Sequence, residues 1–346
     1  MKRLRLRLLT AMGLSALAAA PATLIACGAR TGLPVWELDS DAGLDAEEDD
    51  SSTIDAADAG PDATESFDSG PDVVEIADAE PDVPMSIRRP FLIGASLRKA
   101  SIVARDDWAG AMAPAPDLDA TTRACLALAW ADDGRDEHAS IAAFARFTLL
   151  LLSVGAPPDL VAASQRASLD EIRHARDCFA LAIRYGDRAI GPSALVVHDS
   201  LGLTSLVEIA ALAAQEGCVG ETIGVALVER ALAGARDPGV VEILTRVHRD
   251  EMRHAELAWR FARWAIDAGG APVRSAVEQA ILAAIAETAR IPVRDYGVDG
   301  DAWRAHGRLT CREARAAGER AIREVIVPCL GSLLHAAVGS EAQSGV

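Results

Sequence analysis

Two stretches of this chain align residue by residue 80 positions apart, identical at five of six positions: Asp170-Glu171-Ile172-Arg173-His174-Ala175 and Asp250-Glu251-Met252-Arg253-His254-Ala255. Each contains Glu-x-x-His. Residues three apart on a helix lie on adjacent turns of one face, so the carboxylate and the imidazole can reach a common point. Oxygen and nitrogen donors together suit iron or manganese. One such motif is weak evidence in a helical chain of this size. Two in matched context, on the second and fourth helices of a bundle, are far stronger evidence.

The rest of the chain supplies such a bundle. From residue 117 onward apolar positions recur with helical period and no segment alternates with period two for long. Helices are predicted over 118–153, 159–185, 204–233, 240–268, 273–289 and 301–327. Asp132-Asp133-Gly134 is a weak point in the first, and Pro328 is expected to end the last. The breaks at Gly155-Ala156-Pro157-Pro158 and Asp237-Pro238-Gly239 are short, whereas residues 186–200 form a longer connection. Two helical hairpins joined by one long crossover give an all-α fold of the ferritin-like four-helix type, with additional C-terminal helices.

A metal site inside four helices needs a carboxylate from each of the other two. Glu137 stands 34 residues before Glu171, and Glu216 stands 35 before Glu251, as a duplicated hairpin predicts. Glu137 shares a helix face with Ile141, Phe144 and Thr148, and Glu216 shares one with Ile209, Leu212, Val219, Ile223 and Leu227. Four acids then point into an apolar interior. Without cations, that burial costs several kcal/mol per ion or forces protonation. Glu208 is the substitute for Glu216, and His248, three before Glu251, is a candidate seventh ligand competing with a plain surface position. Glu221 lies five residues after Glu216, about 140° round a regular helix, and is expected to face solvent or a neighbouring helix. His138 is expected to point elsewhere, and Arg173 and Arg253 to pair with acids such as Asp170 and Asp250. Tyr185 and Tyr296, the chain's two tyrosines, stand more than a turn from every candidate ligand.

Glu137, Glu171-x-x-His174, Glu216 and Glu251-x-x-His254 resemble the ligand set of the ferritin-like di-iron carboxylate superfamily, which includes rubrerythrins, bacterioferritins and di-iron oxygenases. The likeness covers about residues 118–268. It implies two iron ions, or two manganese as in the similar manganese catalases. Glu171 and Glu251 would bridge or chelate them, His174 and His254 would bind one each, and Glu137 and Glu216 would be terminal ligands. It implies an oxidoreductase that activates dioxygen or peroxide, acting on an unidentified small molecule or on ferrous iron. The alternatives are a non-enzymatic metal- or partner-binding scaffold, and a metal-free bundle whose acids pair with arginines.

The N-terminal part sets an expected location. Lys2, Arg3, Arg5 and Arg7 precede an apolar stretch reaching about Ala26, the pattern of a secretory signal. Leu24-Ile25-Ala26-Cys27 resembles a bacterial lipobox. Residues 1–27 are therefore read as a lipoprotein signal peptide with Cys27 as the lipidation site. The expected place is the cell envelope, on a lipid anchor, with Gly28 after the cysteine pointing to the outer membrane. Between Thr31 and Ile87 stand eighteen Asp or Glu and no Lys or Arg, so 28–87 is read as a disordered acidic tether. That segment carries the whole net charge of −17, since the remaining 34 bases face 33 acids; no nucleic-acid partner is expected. Residues 88–116 form a lead-in segment in which Phe91-Leu92-Ile93 is a short strand or a docking arm. Residues 117–270 are the helical bundle and 271–346 a C-terminal helical extension. A lipidated tether on every chain disfavours a closed storage cage but leaves smaller oligomers open. Six cysteines without a CxxC pair exclude zinc-ribbon and rubredoxin-type sites.

Overall fold

A computed structural model describes residues 1–14, 89–94, 96–288, 296–298 and 300–341. Cys27 and the tether over 28–87 lie outside the described residues. The chain is all-α, as its periodicity implies, and the helix boundaries follow from local chemistry. Helix α1 is Lys2–Ala11. Helix α2, Ala120–Ser153, starts at Asp119, whose carboxylate accepts the Thr122 amide 2.9 Å away as an N-cap. It runs unbroken through Asp132-Asp133-Gly134. The two acids there take partners from the C-terminal part: Tyr296 donates to Asp132 at 2.9 Å and Arg308 to Asp133 at 2.6 Å. Helix α3, Pro158–Gly186, carries a proline and Asp159 in its first turn, where a missing amide costs nothing and a negative charge meets the helix dipole.

After residues 187–205, a Ser205–Glu208 capping box opens α4, Leu206–Ala213. The helix then widens into a π-helical segment, Ala214–Glu221, and resumes as α5, Thr222–Gly234. Helix α6, Pro238–Thr288, is interrupted at Gly270, whose φ of 65° and ψ of −149° only glycine adopts without strain. Two helical stretches therefore meet there, with Pro272 early in the second. Helices α7, Asp301–Ala305, and α8, Cys311–Ala321, follow, then a second π-helical segment, Ile322–Ile326, and α9, Val327–Glu341. Pro328 does not end the helix as expected: it sits in the first turn of α9, and the wide turn ahead of it accommodates its ring.

Helix α2 packs along α3, α6 packs along the run 206–234, and α3 packs against α6. Two large apolar clusters result, beside a small one of Phe91, Ala139 and Ala143. One surrounds Leu126, Trp130, Leu181, Val240 and Leu244; the other surrounds Phe144, Phe147, Ile209, Val219, Phe261 and Ile266. On α2, α3 and α6 the predicted acids and histidines fall between the two clusters. Leu206–Gly234 is long and apolar enough to cross a membrane, but most of it is buried inside the protein, as a core helix would be.

The lead-in segment is both of the things its sequence allowed. Strand β1, Leu92–Ile93, pairs antiparallel with β2, Ser96–Leu97, and β3, Ile102–Val103, with β4, Gly191–Pro192. Phe91 and Arg89 beside β1 are buried against the helices. Helix α1, read from sequence as the start of an export signal, packs on α6 and α9 with Leu4, Leu8, Leu9 and Met12 buried, and Arg7 pairs with Glu256.

Candidate metal centre

The two Asp-Glu-x-Arg-His repeats face each other from α3 and α6, and every residue of the pattern has a task. His174 Nε2 lies 3.2 Å from Asp250 Oδ2, and His254 Nε2 lies 3.2 Å from Asp170 Oδ2. Each aspartate thus orients the histidine of the other helix. Arg253 Nη2 donates to Asp170 and to Asp250, at 2.8 Å in both cases, while Arg173 pairs with Asp170 and lies 3.5 Å from Asp250. The arginines therefore pair as their sequence positions imply. The crossed aspartate–histidine contacts, in contrast, depend on packing two helices together. A carboxylate only accepts, so Nε2 carries the proton outward and Nδ1 of each ring turns to the glutamates. Burial opposes ionisation of Asp170, yet His254 and Arg253 hold its carboxyl well below the usual range.

Around the two imidazoles the glutamates converge. One group whose ligand atoms all lie within 4.8 Å of one another is Glu137, Glu171, His174 and Glu251; a second is Glu221, Glu251 and His254. All six residues are at most 2% exposed. Glu251 belongs to both groups, and Glu171 joins them as well. Its Oε1 is 3.0 Å from His254 Nδ1 and its Oε2 3.8 Å from His174 Nδ1, while the ring centres of the histidines stand 6.0 Å apart. Phe144 closes one side, edge-on to His254 with centroids 5.0 Å apart.

The donor set fits metal ions. Glu171 Oε2, His174 Nδ1, Glu221 Oε1 and His254 Nδ1 are buried and make no hydrogen bond among the described residues; such atoms cost about 1–3 kcal/mol each when nothing meets them. His254 Nδ1 is within 3.0 Å of Glu171 Oε1 and still lacks the alignment of a hydrogen bond, as two donors directed at a common third point would. Charge agrees: the four glutamates carry four negative charges, and two divalent cations balance them. Without metal, protons take that place. Burial pushes the Glu221 carboxyl well up, and repulsion from Glu251 adds to it. Burial also works against charge on Glu171, but His174 and His254 outweigh it and hold its carboxyl at about 2. Both imidazoles are raised, burial being overcome by the acids around them.

The structure brings together five of the six predicted ligands: Glu137, Glu171, His174, Glu251 and His254. Glu216 is turned away, and its place in the donor set falls to Glu221. Glu216 Oε1 accepts from Arg146 Nη2 at 2.8 Å, and Oε2 lies 3.4 Å from Arg89 Nε. The pairing of acids with arginines, an alternative for the whole cluster, is realised here. The reason is the π-helical segment, in which residues five apart come near one another, so Glu221 swings inward from its position on a regular helix. Gly217 and Gly220, two weak helix formers inside an apolar helical run, were the sequence signal of this departure. Glu208 is exposed and caps α4 through Ser205. His248 is half-buried and stands outside both donor groups. His138 packs edge-on against Trp108, away from the cluster. No family model, curated protein or solved structure matches this chain, so the chemistry rests on the geometry of these residues.

Proposed function

We propose that the chain is a di-metal carboxylate protein of ferritin-like four-helix architecture, with two iron ions held by Glu137, Glu171, His174, Glu221, Glu251 and His254, and that it acts as an oxidoreductase. The observation that carries the reading is the pair of donor groups sharing Glu251 and flanked by crossed Asp–His contacts. Bound there, a pair of redox-active ions would supply electrons to dioxygen or peroxide. The protein's part is to hold the site. Asp170 and Asp250 fix the tautomer and angle of the rings, the histidines and Arg253 keep those aspartates ionised against burial, and the apolar clusters on both sides exclude water.

Aerobic loading of the purified chain with ferrous iron is expected to give about two irons per chain and an oxo-bridge absorption band, with parallel manganese loading testing the metal. Glu171→Ala and His254→Ala should lose stoichiometric metal while keeping most of the helical circular dichroism. Unchanged metal content in both variants overturns the assignment. We also propose that the chain is exported and anchored in the cell envelope through a lipid on Cys27, with 28–87 as spacer. Incorporation of labelled fatty acid that is lost in Cys27→Ala supports the anchor, and equal labelling of both proteins contradicts it.

A further inference from the structure

Arg89 enters from the lead-in segment, outside the helices that carry the metal ligands, and is 1% exposed. Its backbone is fixed by the Ser140 hydroxyl, which donates to the Arg89 carbonyl at 2.9 Å. The guanidinium carbon lies 4.6 Å from the centre of the Phe144 ring and 4.4 Å from that of Phe147. Phe144 is the ring that meets His254, so the cation stands one aromatic side chain from the metal ligands.

Among the described residues its charge is not fully balanced. Glu216 lies 3.4 Å from Arg89 Nε and is shared with Arg146. Two guanidiniums on one carboxylate leave a net positive charge in the interior. Arg89 Nε and Nη1 make no hydrogen bond among the described residues. Arginine cannot shed its proton to escape this cost, and a buried charge lacking a counter-ion is strongly unfavourable. The glutamates of the cluster are committed to the two cations.

From this we infer that Arg89 is the recognition group of a binding site, beside the metal centre, for a small apolar monocarboxylic acid. The guanidinium fork matches a carboxylate, and the rings of Phe144 and Phe147 favour an apolar body. The inference rests on the di-metal reading, because only bound cations make the glutamates unavailable as counter-charges.

The test uses the full chain loaded with redox-inert zinc, with metal content measured in the same samples. Sodium benzoate is titrated at constant ionic strength against sodium chloride, read by calorimetry and thermal unfolding. Benzoate is expected to bind one per chain and to raise the melting temperature where chloride does not. Arg89→Met should weaken benzoate by about tenfold or more, the effect of removing one charge-assisted hydrogen bond. Glu216→Gln removes the competing negative charge and should strengthen benzoate. That opposite sign decides the matter should Arg89→Met fail to fold. Benzoate no better than chloride, or unchanged in both variants, overturns the site. Two zinc ions with no benzoate effect sinks this inference alone, whereas far fewer than two sinks the metal reading beneath it.

Discussion

At the scale of single residues, Glu216 and Glu221 separate two roles that sequence spacing had merged. Glu216 pairs with two arginines, and Glu221 joins the candidate donor groups. Glu221→Ala should therefore lower metal content from about two ions per chain to about one, measured by elemental analysis. Glu216→Ala should keep the metal but destabilise the fold by about 3–5 kcal/mol in denaturant unfolding, because it strands two buried guanidiniums. The reverse pattern would restore the spacing-based assignment. Protons and a bound metal would compete for this site. The imidazoles of His174 and His254 have raised pKa values. In the metal-free protein their contribution to stability is thus full below about pH 6.5, the ordinary histidine value, and is lost as pH rises through the raised values. Glu171, held at about 2, contributes above its ordinary value of about 4.3 and loses that contribution as pH falls toward 2. Melting temperature of the metal-free chain should peak in mildly acidic solution. Zinc should shift the peak to higher pH, since metal binding releases the protons. A metal-free melting temperature flat from weak acid to weak base would contradict this.

At the scale of elements, the π-helical segment Ala214–Glu221 is where the two hairpins cease to be copies. A Cβ on Gly217 would sit 2.4 Å from the Ala258 Cβ, so this segment approaches α6 more closely than a side chain permits. Gly217→Ala is expected to cost about 1–3 kcal/mol by overpacking and to disturb Glu221, lowering metal affinity together with stability. Unaltered metal affinity would separate the close approach from the placement of Glu221. Helix α1 invites a similar test. Leu8 is fully buried, and Leu8→Asp should destabilise the unprocessed chain by several kcal/mol while leaving a chain processed at Cys27 untouched. Equal melting temperatures for the unprocessed wild type and this variant would show that α1 contributes no packing.

At the scale of the whole molecule, the candidate centre sits between two large apolar clusters, and each of its donor residues comes from one of the long helical runs. Much of this was legible in the sequence. The all-α class and the principal helices follow from apolar periodicity, caps and breaks, all of which act within a few residues. Five of the candidate donor residues follow as well, because Glu-x-x-His on a helix and the phase of Glu137 are local geometry. Three things were not legible. The inward turn of Glu221 depends on a widened helix that packs closely on α6. Arg89 is distant in sequence from every residue it touches except through the fold. The packing of α1 was hidden because a basic, leucine-rich stretch satisfies an export signal and a core helix alike. Periodicity determines which face of a helix is apolar. Which buried charge meets which counter-charge is decided only when separate helices are brought within a few ångströms, where desolvation makes each mismatch expensive.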